Sequence, residues 1–162
     1  MARTTATDLL NRYWDGRLPV NPAHIAKALG IRLVGEFDMN ESGSIQFEND
    51  IPVIRYDMTE APVRQRFTIA HELGHWASGH LADRATCFRD PPSHFSARST
   101  SPIEAEANAF AAALLMPEKV LRYVIVEKKV GDVARLANLF DVSQVAMSYR
   151  LNKVGLTGST RT

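Results

Sequence analysis

Apolar residues near the start of the chain follow a helical spacing. The stretch LLNRYW at residues 9–14 places large apolar side chains along one face of a short helix. A second helix is predicted after it, because Asn21 is a typical N-cap residue and Gly30 is typical of the position after a helix end. The chain is therefore predicted to begin with two short helices.

The pattern changes to that of strands between residues 31 and 57. β-Branched and aromatic residues partly alternate with polar ones in IRLVGEF, GSIQFE and IPVIRYD. The pairs SG at 42–43 and ND at 49–50 are turn signals that separate these stretches. We expect a small antiparallel sheet of about three strands. The third strand is expected at an edge, because Pro52 cannot donate a backbone hydrogen bond.

Helical spacing returns after the predicted strands. Thr59 is a plausible N-cap for a helix over about 61–80, which places the string HELGH in the middle of that helix. Two more helices are predicted over about 102–115 and from 117 to 128 or 129, with prolines at their boundaries.

The last part of the chain, from 132 to 156, predicts two short helices joined near 141–143. Ser143 is expected to cap the second of them. The order of helices, strands and then helices predicts an α+β fold in which a small sheet packs on helices. We expect residues 1–128 to form the main domain, and residues 129–162 to form a C-terminal, helix-turn-helix-like extension packed on it, either beside that domain or as part of it.

Composition excludes several kinds of protein. The 162 residues carry 19 basic and 18 acidic side chains, so the formal net charge of +1 provides no overall field for nucleic acid or an anionic membrane. Cys87 is the single cysteine, so no disulfide framework can form within the chain. No signal peptide is predicted, and no apolar run approaches the roughly 20 residues of a membrane span. The sequence predicts a cytoplasmic protein without membrane association.

The string HELGH at 71–75 has the residue types of a metal site. His71 and His75 are one helical turn apart, so both imidazoles can reach one ion. Glu72 lies about 100 degrees around the helix, where it can reach an attacking water without ligating the metal. The alternative is an exposed helix whose His and Glu side chains are merely solvated. Apolar neighbours such as Phe67 and Leu73 argue against it, because buried polar atoms need a partner.

A catalytic zinc site usually has a third protein ligand besides the two histidines. Glu104 and Glu106 both lie in a later predicted helix, and Glu104 is favoured because the residues on its face are small enough for close packing. Asn108, one turn further, could hydrogen-bond a ligating histidine. Gly74 is a poor helix former, which indicates that another backbone approaches it closely. Glu106 and His80 remain less favoured alternatives as metal ligands.

The other candidate ligands fit the expected patterns less well. The pattern HExxHxxGxxH would place a third histidine at position 81, which is Leu81, so His80 does not complete it. Cys87 and His94 lie in the connecting segment and could reach the site, although a small, partly buried residue is the more ordinary role for a cysteine.

These motifs resemble those of ImmA/IrrE-type metallo-endopeptidases. The resemblance rests on RQRFTIAHELGH at 64–75, EAEANAFAAALLMP at 104–117 and the ending LFDVSQVAMSYRLNKVGL. The stretches SGSIQF and LPVNPAHIAKALGI extend it over nearly the whole chain. It implies a zincin-like core over residues 1–128. It also implies a gluzincin-like zinc (Zn²⁺) site with His71, His75 and Glu104 as ligands and Glu72 as general base. It also implies a protease that cleaves a helix-turn-helix repressor of the XRE type, in some relatives within a toxin–antitoxin-like pair.

The motifs do not identify a residue that would stabilise the oxyanion. Tyr56, Tyr123, Tyr149 and Arg150 are candidates that the sequence does not rank. If the protein is a protease, we expect the substrate to lie antiparallel along IPVIRY at the sheet edge and to add a strand there.

Two other functions are compatible with the sequence. The C-terminal pair of predicted helices has the length of a helix-turn-helix, which suits a DNA-binding regulator. Its second helix offers few base-reading side chains and the chain is nearly neutral, so direct DNA binding is disfavoured. A pseudo-protease would bind zinc and a partner without cleaving it, but Glu72 would then be dispensable.

Overall fold

The computed structural model describes residues 3–83 and 101–157 and, between them, the backbone of residues 88–90. The predicted α+β class is confirmed within these residues, where seven helices accompany one small sheet. In chain order the elements are α1 (Ala6–Tyr13), α2 (Pro22–Ala28), β1 (Arg32–Glu36), β2 (Gly43–Glu48), β3 (Ile51–Asp57), α3 (Pro62–Ala77), β4 (Phe88–Asp90), α4 (Pro102–Leu115), α5 (Glu118–Val126), α6 (Val133–Phe140) and α7 (Gln144–Lys153).

The sheet is mixed and not purely antiparallel. Its strand order is β1–β3–β2–β4, with β3 parallel to β1 and antiparallel to β2, and β4 antiparallel to β2. The β2–β3 hairpin turns at the predicted ND pair, where Asn49 and Asp50 have φ values of 47° and 64° that suit a tight hairpin. Because β1 joins the other side of this hairpin, the expectation of an all-antiparallel sheet is wrong.

The expected edge position of β3 is also wrong, because β1 and β2 flank it on both sides. Pro52 is tolerated there because the β1–β3 register begins only at Val53, opposite Arg32. The missing N–H of Pro52 therefore removes no bond to β1. A substrate strand cannot add along β3 without displacing a neighbour, so that predicted substrate position is excluded. Among the described strands, β1 and β4 form the sheet edges.

Helix α3, which carries HELGH, differs from its prediction at both ends. Its N-cap is Ala61, and Thr59 instead donates from its backbone N and its hydroxyl to Asp57 Oδ1, at 2.8 and 2.6 Å. These hydrogen bonds hold the pKa of the Asp57 carboxyl below its ordinary value. The helix ends at Ala77, and Gly79 follows with a φ of 77° that reverses the chain direction.

The C-terminal helices pack on the rest of the molecule. As predicted, the Ser143 side chain caps α7, where it accepts a hydrogen bond from the backbone N of Ala146. Arg66 of α3 donates to the carbonyl oxygens of Val20 at 2.7 Å and Asp141 at 3.0 Å, which ties α3 to the α6–α7 junction. The buried residues of α6, of α7 and of the junction between them belong to the same hydrophobic cluster as Leu73 of α3. They are Leu136, Ala137, Phe140, Val142, Met147 and Leu151.

No helix in the described part of the chain combines the length and the apolar character needed to cross a membrane.

Candidate metal centre

Helix α3 buries the polar residues of HELGH completely. His71, Glu72 and His75 all have side chains with no exposed surface. The four-residue spacing brings the two histidine rings to a centroid distance of 4.8 Å in an edge-to-face arrangement. Their Nε2 atoms are 3.2 Å apart. Both rings therefore direct the same nitrogen toward one point.

Helix α4 brings Glu104 to that point. Its Oε2 lies 3.0 Å from His71 Nε2, and its Oε1 lies 3.3 Å from His75 Nε2. One ligand atom from each of the three residues lies within 4.8 Å of the others, and all three residues are buried. Two imidazole nitrogens and a carboxylate are a donor set that suits a divalent zinc ion with one position left for water. The residues present fit such an ion, which would also compensate the buried carboxylate.

Close packing of α4 against α3 depends on Gly74. A Cβ atom at this position would lie 3.0 Å from the carbonyl oxygen of Ala107 and 3.2 Å from its Cα. The predicted close approach of another backbone to Gly74 is therefore confirmed. Since Ala107 follows Glu104 by three residues on α4, this approach also determines how near the Glu104 carboxylate comes to His71 and His75.

The other nitrogen of each histidine faces a second polar partner. His71 Nδ1 lies 2.8 Å from Asn108 Oδ1, the residue expected to support a ligating histidine. His75 Nδ1 lies 2.9 Å from His80 Nδ1, and His80 Nε2 lies 2.8 Å from Glu106 Oε2. The two alternative ligands, His80 and Glu106, are thus bonded to each other behind His75. Cys87 and His94, the remaining candidates, lie outside the residues whose side chains the structure describes.

Glu72 lies between α3 and β2. A Cβ on Gly43 would be 3.0 Å from Glu72 Oε1 and 2.3 Å from Thr68 Cγ2, so only glycine lets β2 approach α3 this closely. Gly43 belongs to the turn signal SG at 42–43 and also begins the predicted strand GSIQFE, and it is the first residue of β2. In the pairing of β2 with β4, Gly43 lies opposite Asp90. The edge strand nearest to Glu72 is therefore β4.

The candidates for oxyanion stabilisation are dispersed. Tyr56 lies in β3, and Tyr123 is exposed on α5, where Lys128 Nζ lies 5.6 Å from its ring centroid. Tyr149 and Arg150 belong to α7. Arg150 Nε donates to the carbonyl oxygen of Met116 at 3.0 Å. The described contacts of these residues do not connect them to the histidines or to Glu104.

A cavity of about 440 Å³ opens between α3, α4 and α7. Its lining is mainly apolar, with Phe67 from α3 and Tyr149 from α7 among the larger side chains. The charged residues that line it are all basic; they are Arg64, Arg150 and Lys153. Burial lowers the pKa of the guanidinium groups of Arg64 and Arg150. Asn108 also lines the cavity, so a single side chain connects this space to the His71 ring.

Comparison with known proteins agrees with these features. The family described as the IrrE N-terminal-like domain of M78 peptidases matches residues 26–152. The chain is 34% identical over 106 residues to the radiation response metalloprotease IrrE of Deinococcus radiodurans, which covers 65% of this chain and 31% of that protein. The chain thus spans less than a third of the length of this relative.

A solved Mycobacterium tuberculosis transcriptional regulator shares the fold, with a TM-score of 0.62 at 18% identity, over 91% of this chain and 44% of that chain. The predicted resemblance to the ImmA/IrrE family is confirmed by the family match and by the similarity to IrrE. Since the match spans most of the residues, including both HELGH and Glu104, the chain belongs to the IrrE N-terminal-like family of M78 peptidases.

Proposed function

We propose that this chain is a zinc-dependent endopeptidase. The observation that carries the proposal is the convergence of His71, His75 and Glu104, whose ligand atoms lie within 4.8 Å of one another in a metalloprotease family member. These three residues would hold the ion. Bound zinc would supply Lewis acidity toward the scissile carbonyl and make water a better nucleophile at neutral pH.

We assign the role of general base to Glu72. It follows His71 directly on α3 and is fully buried, and its Oε1 would lie 3.0 Å from a Cβ at Gly43 of β2. In the proposed reaction its carboxylate removes a proton from the attacking water and returns that proton to the leaving amine. Burial of the Glu72 carboxylate keeps this proton transfer away from bulk water.

The substrate that we propose is a protein, specifically a helix-turn-helix repressor of the XRE type. The support for this class is the resemblance of the three sequence motifs to ImmA/IrrE peptidases, and a regulatory role is in line with the name of the radiation response relative. An extended segment of the substrate would add to β4, the described edge strand nearest Glu72. This location replaces β3, both sides of which are paired.

The first experiment measures zinc content and cleavage together. Wild type, Glu104→Ala, Glu72→Gln and the control Glu118→Ala are purified, zinc is measured by mass spectrometry, and each protein is incubated with a panel of XRE-type repressors. Glu118 is a suitable control because it is an exposed helix carboxylate paired with Arg122. We expect about one zinc per chain in all but Glu104→Ala. Cleavage should fall by about a hundredfold or more in Glu72→Gln.

The possible results separate the peptidase from the pseudo-protease and test the role of Glu72. Wild type that holds no zinc even when zinc is supplied would remove the peptidase proposal. Zinc with repressor binding but no cleavage by wild type would identify a pseudo-protease. Cleavage that persists at the wild-type rate in Glu72→Gln would show that another group is the base.

A further inference from the structure

A chain of hydrogen bonds leads from His75 to the surface. His75 Nδ1 lies 2.9 Å from His80 Nδ1, and His80 Nε2 lies 2.8 Å from Glu106 Oε2. The other oxygen of Glu106 lies 3.3 Å from an Arg3 guanidinium nitrogen. Exposure rises along this path, from 0% for the His75 side chain and 7% for His80 to 39% for Glu106 and 73% for Arg3. The string HELGH does not include His80, Glu106 or Arg3.

The end of helix α3 places His80 against His75. The chain reverses at Gly79, which has a left-handed φ of 77°, and the backbone N of His80 then donates to the carbonyl oxygen of His75 at 3.0 Å. This bond brings residue 80 back over the last helical turn, so that its imidazole meets that of His75 at a centroid distance of 5.2 Å. Glu106 approaches His80 from α4, two residues after Glu104.

The hydrogen-bond chain has one consistent direction when His75 binds a metal. A neutral imidazole that offers its Nε2 lone pair to zinc carries its proton on Nδ1. His75 Nδ1 then donates to His80 Nδ1, which accepts, so the His80 proton is on Nε2. That N–H faces the Glu106 carboxylate, which is an acceptor. Every donor in the path therefore meets an acceptor, and the His75 lone pair points toward His71 and Glu104.

We propose that His80, held by Glu106, is a positioning residue that fixes the ring orientation and the tautomer of the zinc ligand His75. The inference rests on the proposed zinc site. His80 is not a ligand in this arrangement, because Nδ1 faces His75 and Nε2 faces Glu106, so neither nitrogen is directed at the centre. Asn108 has the equivalent position behind His71. The Nδ1 atom of each histidine ligand thus faces its own hydrogen-bond acceptor.

The test measures zinc affinity by competition with a chelator, without any substrate. We expect His80→Ala to weaken zinc binding by about 10- to 100-fold, the range found when a partner of a ligating histidine is removed. His80→Gln should restore much of the affinity, because its amide offers one acceptor and one donor, as the imidazole does. Glu106→Ala should have a smaller effect in the same direction, since it removes the more distant bond. His24→Ala, a substitution of an exposed histidine on α2, should leave affinity unchanged.

A second measurement does not depend on substitution. Nitrogen-15 NMR of the imidazoles in zinc-loaded wild type should show His75 as the Nδ1–H tautomer and His80 as the Nε2–H tautomer. Thermal unfolding of the metal-free His80→Ala variant separates loss of folding from loss of positioning. A variant that does not fold leaves the tautomers of wild type as the deciding observation.

The outcomes keep this inference separate from the peptidase proposal. Zinc affinity that is unchanged in His80→Ala, or the opposite tautomer at either ring, would overturn the role of His80 while the zinc site remains. Failure to cleave any repressor would count against the peptidase proposal alone, since substrate does not enter the measurement. Wild type that binds no zinc would overturn both.

Discussion

Two helix pairs in this protein bury very different side chains. Helices α3 and α4 carry four buried ionisable residues, namely His71, Glu72, His75 and Glu104. The pair α6–α7 instead buries apolar side chains such as Phe140 and those of Leu136, Met147 and Leu151. Burial of ionisable groups costs free energy, whereas burial of apolar surface stabilises the fold. The difference indicates that α3 and α4 bury groups suited to metal binding and catalysis, at a cost in free energy, whereas the residues buried by α6 and α7 mainly stabilise the fold.

The same comparison bears on the alternative of DNA recognition by α7. Arg150, one of its basic residues, donates inward to the Met116 carbonyl, and burial lowers the pKa of its guanidinium. The exposed residues of α7 include the apolar Val145, at 79%, and Tyr149, at 48% exposure. Lys153 is its single exposed basic residue, whereas a helix that binds phosphates usually shows a basic face. The described contacts of α7 thus include packing against the end of α4, where Arg150 reaches Met116.

The largest expected effect tests whether a loss of stability in α6–α7 leaves metal binding at α3–α4 unchanged. Phe140→Ala removes a fully buried aromatic ring from α6 and should lower the free energy of unfolding by about 3–5 kcal/mol. Leu139→Ala, at an adjacent position that is 40% exposed, should change it by less than about 1 kcal/mol. Urea unfolding measures the free energy of unfolding of both variants. Zinc affinity of folded Phe140→Ala should match wild type, and an equal loss of affinity and stability would show that the pairs act as one unit.

A smaller effect on stability, with a direct effect on metal binding, is expected at the other pair. Gly74→Ala places a Cβ 3.0 Å from the Ala107 carbonyl oxygen. The overpacking costs about 1–3 kcal/mol and offsets the gain of about 1 kcal/mol in helix propensity, for a net loss of about 1 kcal/mol. Because α4 must shift outward, the Glu104 carboxylate moves away from the histidines and zinc affinity should fall.

Chelator competition and urea unfolding of Gly74→Ala provide the check. A variant that is more stable than wild type and binds zinc equally well would mean that α4 yields without moving Glu104. In that case close packing at Gly74 would not position the metal site.

Features determined by near neighbours were predictable from the sequence. The caps Asn21 and Ser143 and the ND hairpin turn all appear where expected, because each depends on hydrogen bonds or φ values within about four residues. Thr59 is an instructive failure. It has a good cap residue type, but its backbone N and hydroxyl both donate to Asp57, which holds it in the turn after β3, and the helix begins only at Pro62. Competing local acceptors decide such cases.

Features that depend on distant segments were predictable only where the sequence carried a sign of the contact. Pro52 suggested an edge strand, but nothing local shows that β1 stops short of it. The placement of Glu104 beside the histidines was accessible, because small neighbours on its helical face indicated close packing. The bond between His80 and Glu106 spans 26 positions in the sequence and depends on the chain reversal at Gly79, so the two residues were considered only as separate candidate ligands.

The smallest expected effect is on the free energy of unfolding and comes from the N-cap of α7. Ser143 accepts from the backbone N of Ala146 at 3.1 Å, and Ser143→Ala leaves that first-turn donor without its cap. The free energy of unfolding should fall by about 1 kcal/mol. Ser148→Ala, an exposed change within the same helix, should leave stability unchanged or slightly higher, because alanine is the better helix former. Zinc affinity should stay at the wild-type value in both variants, since α7 supplies no atom to the centre. A loss of affinity in Ser143→Ala alone would instead show that the start of α7, which lines the cavity next to Asn108, influences His71 through that side chain.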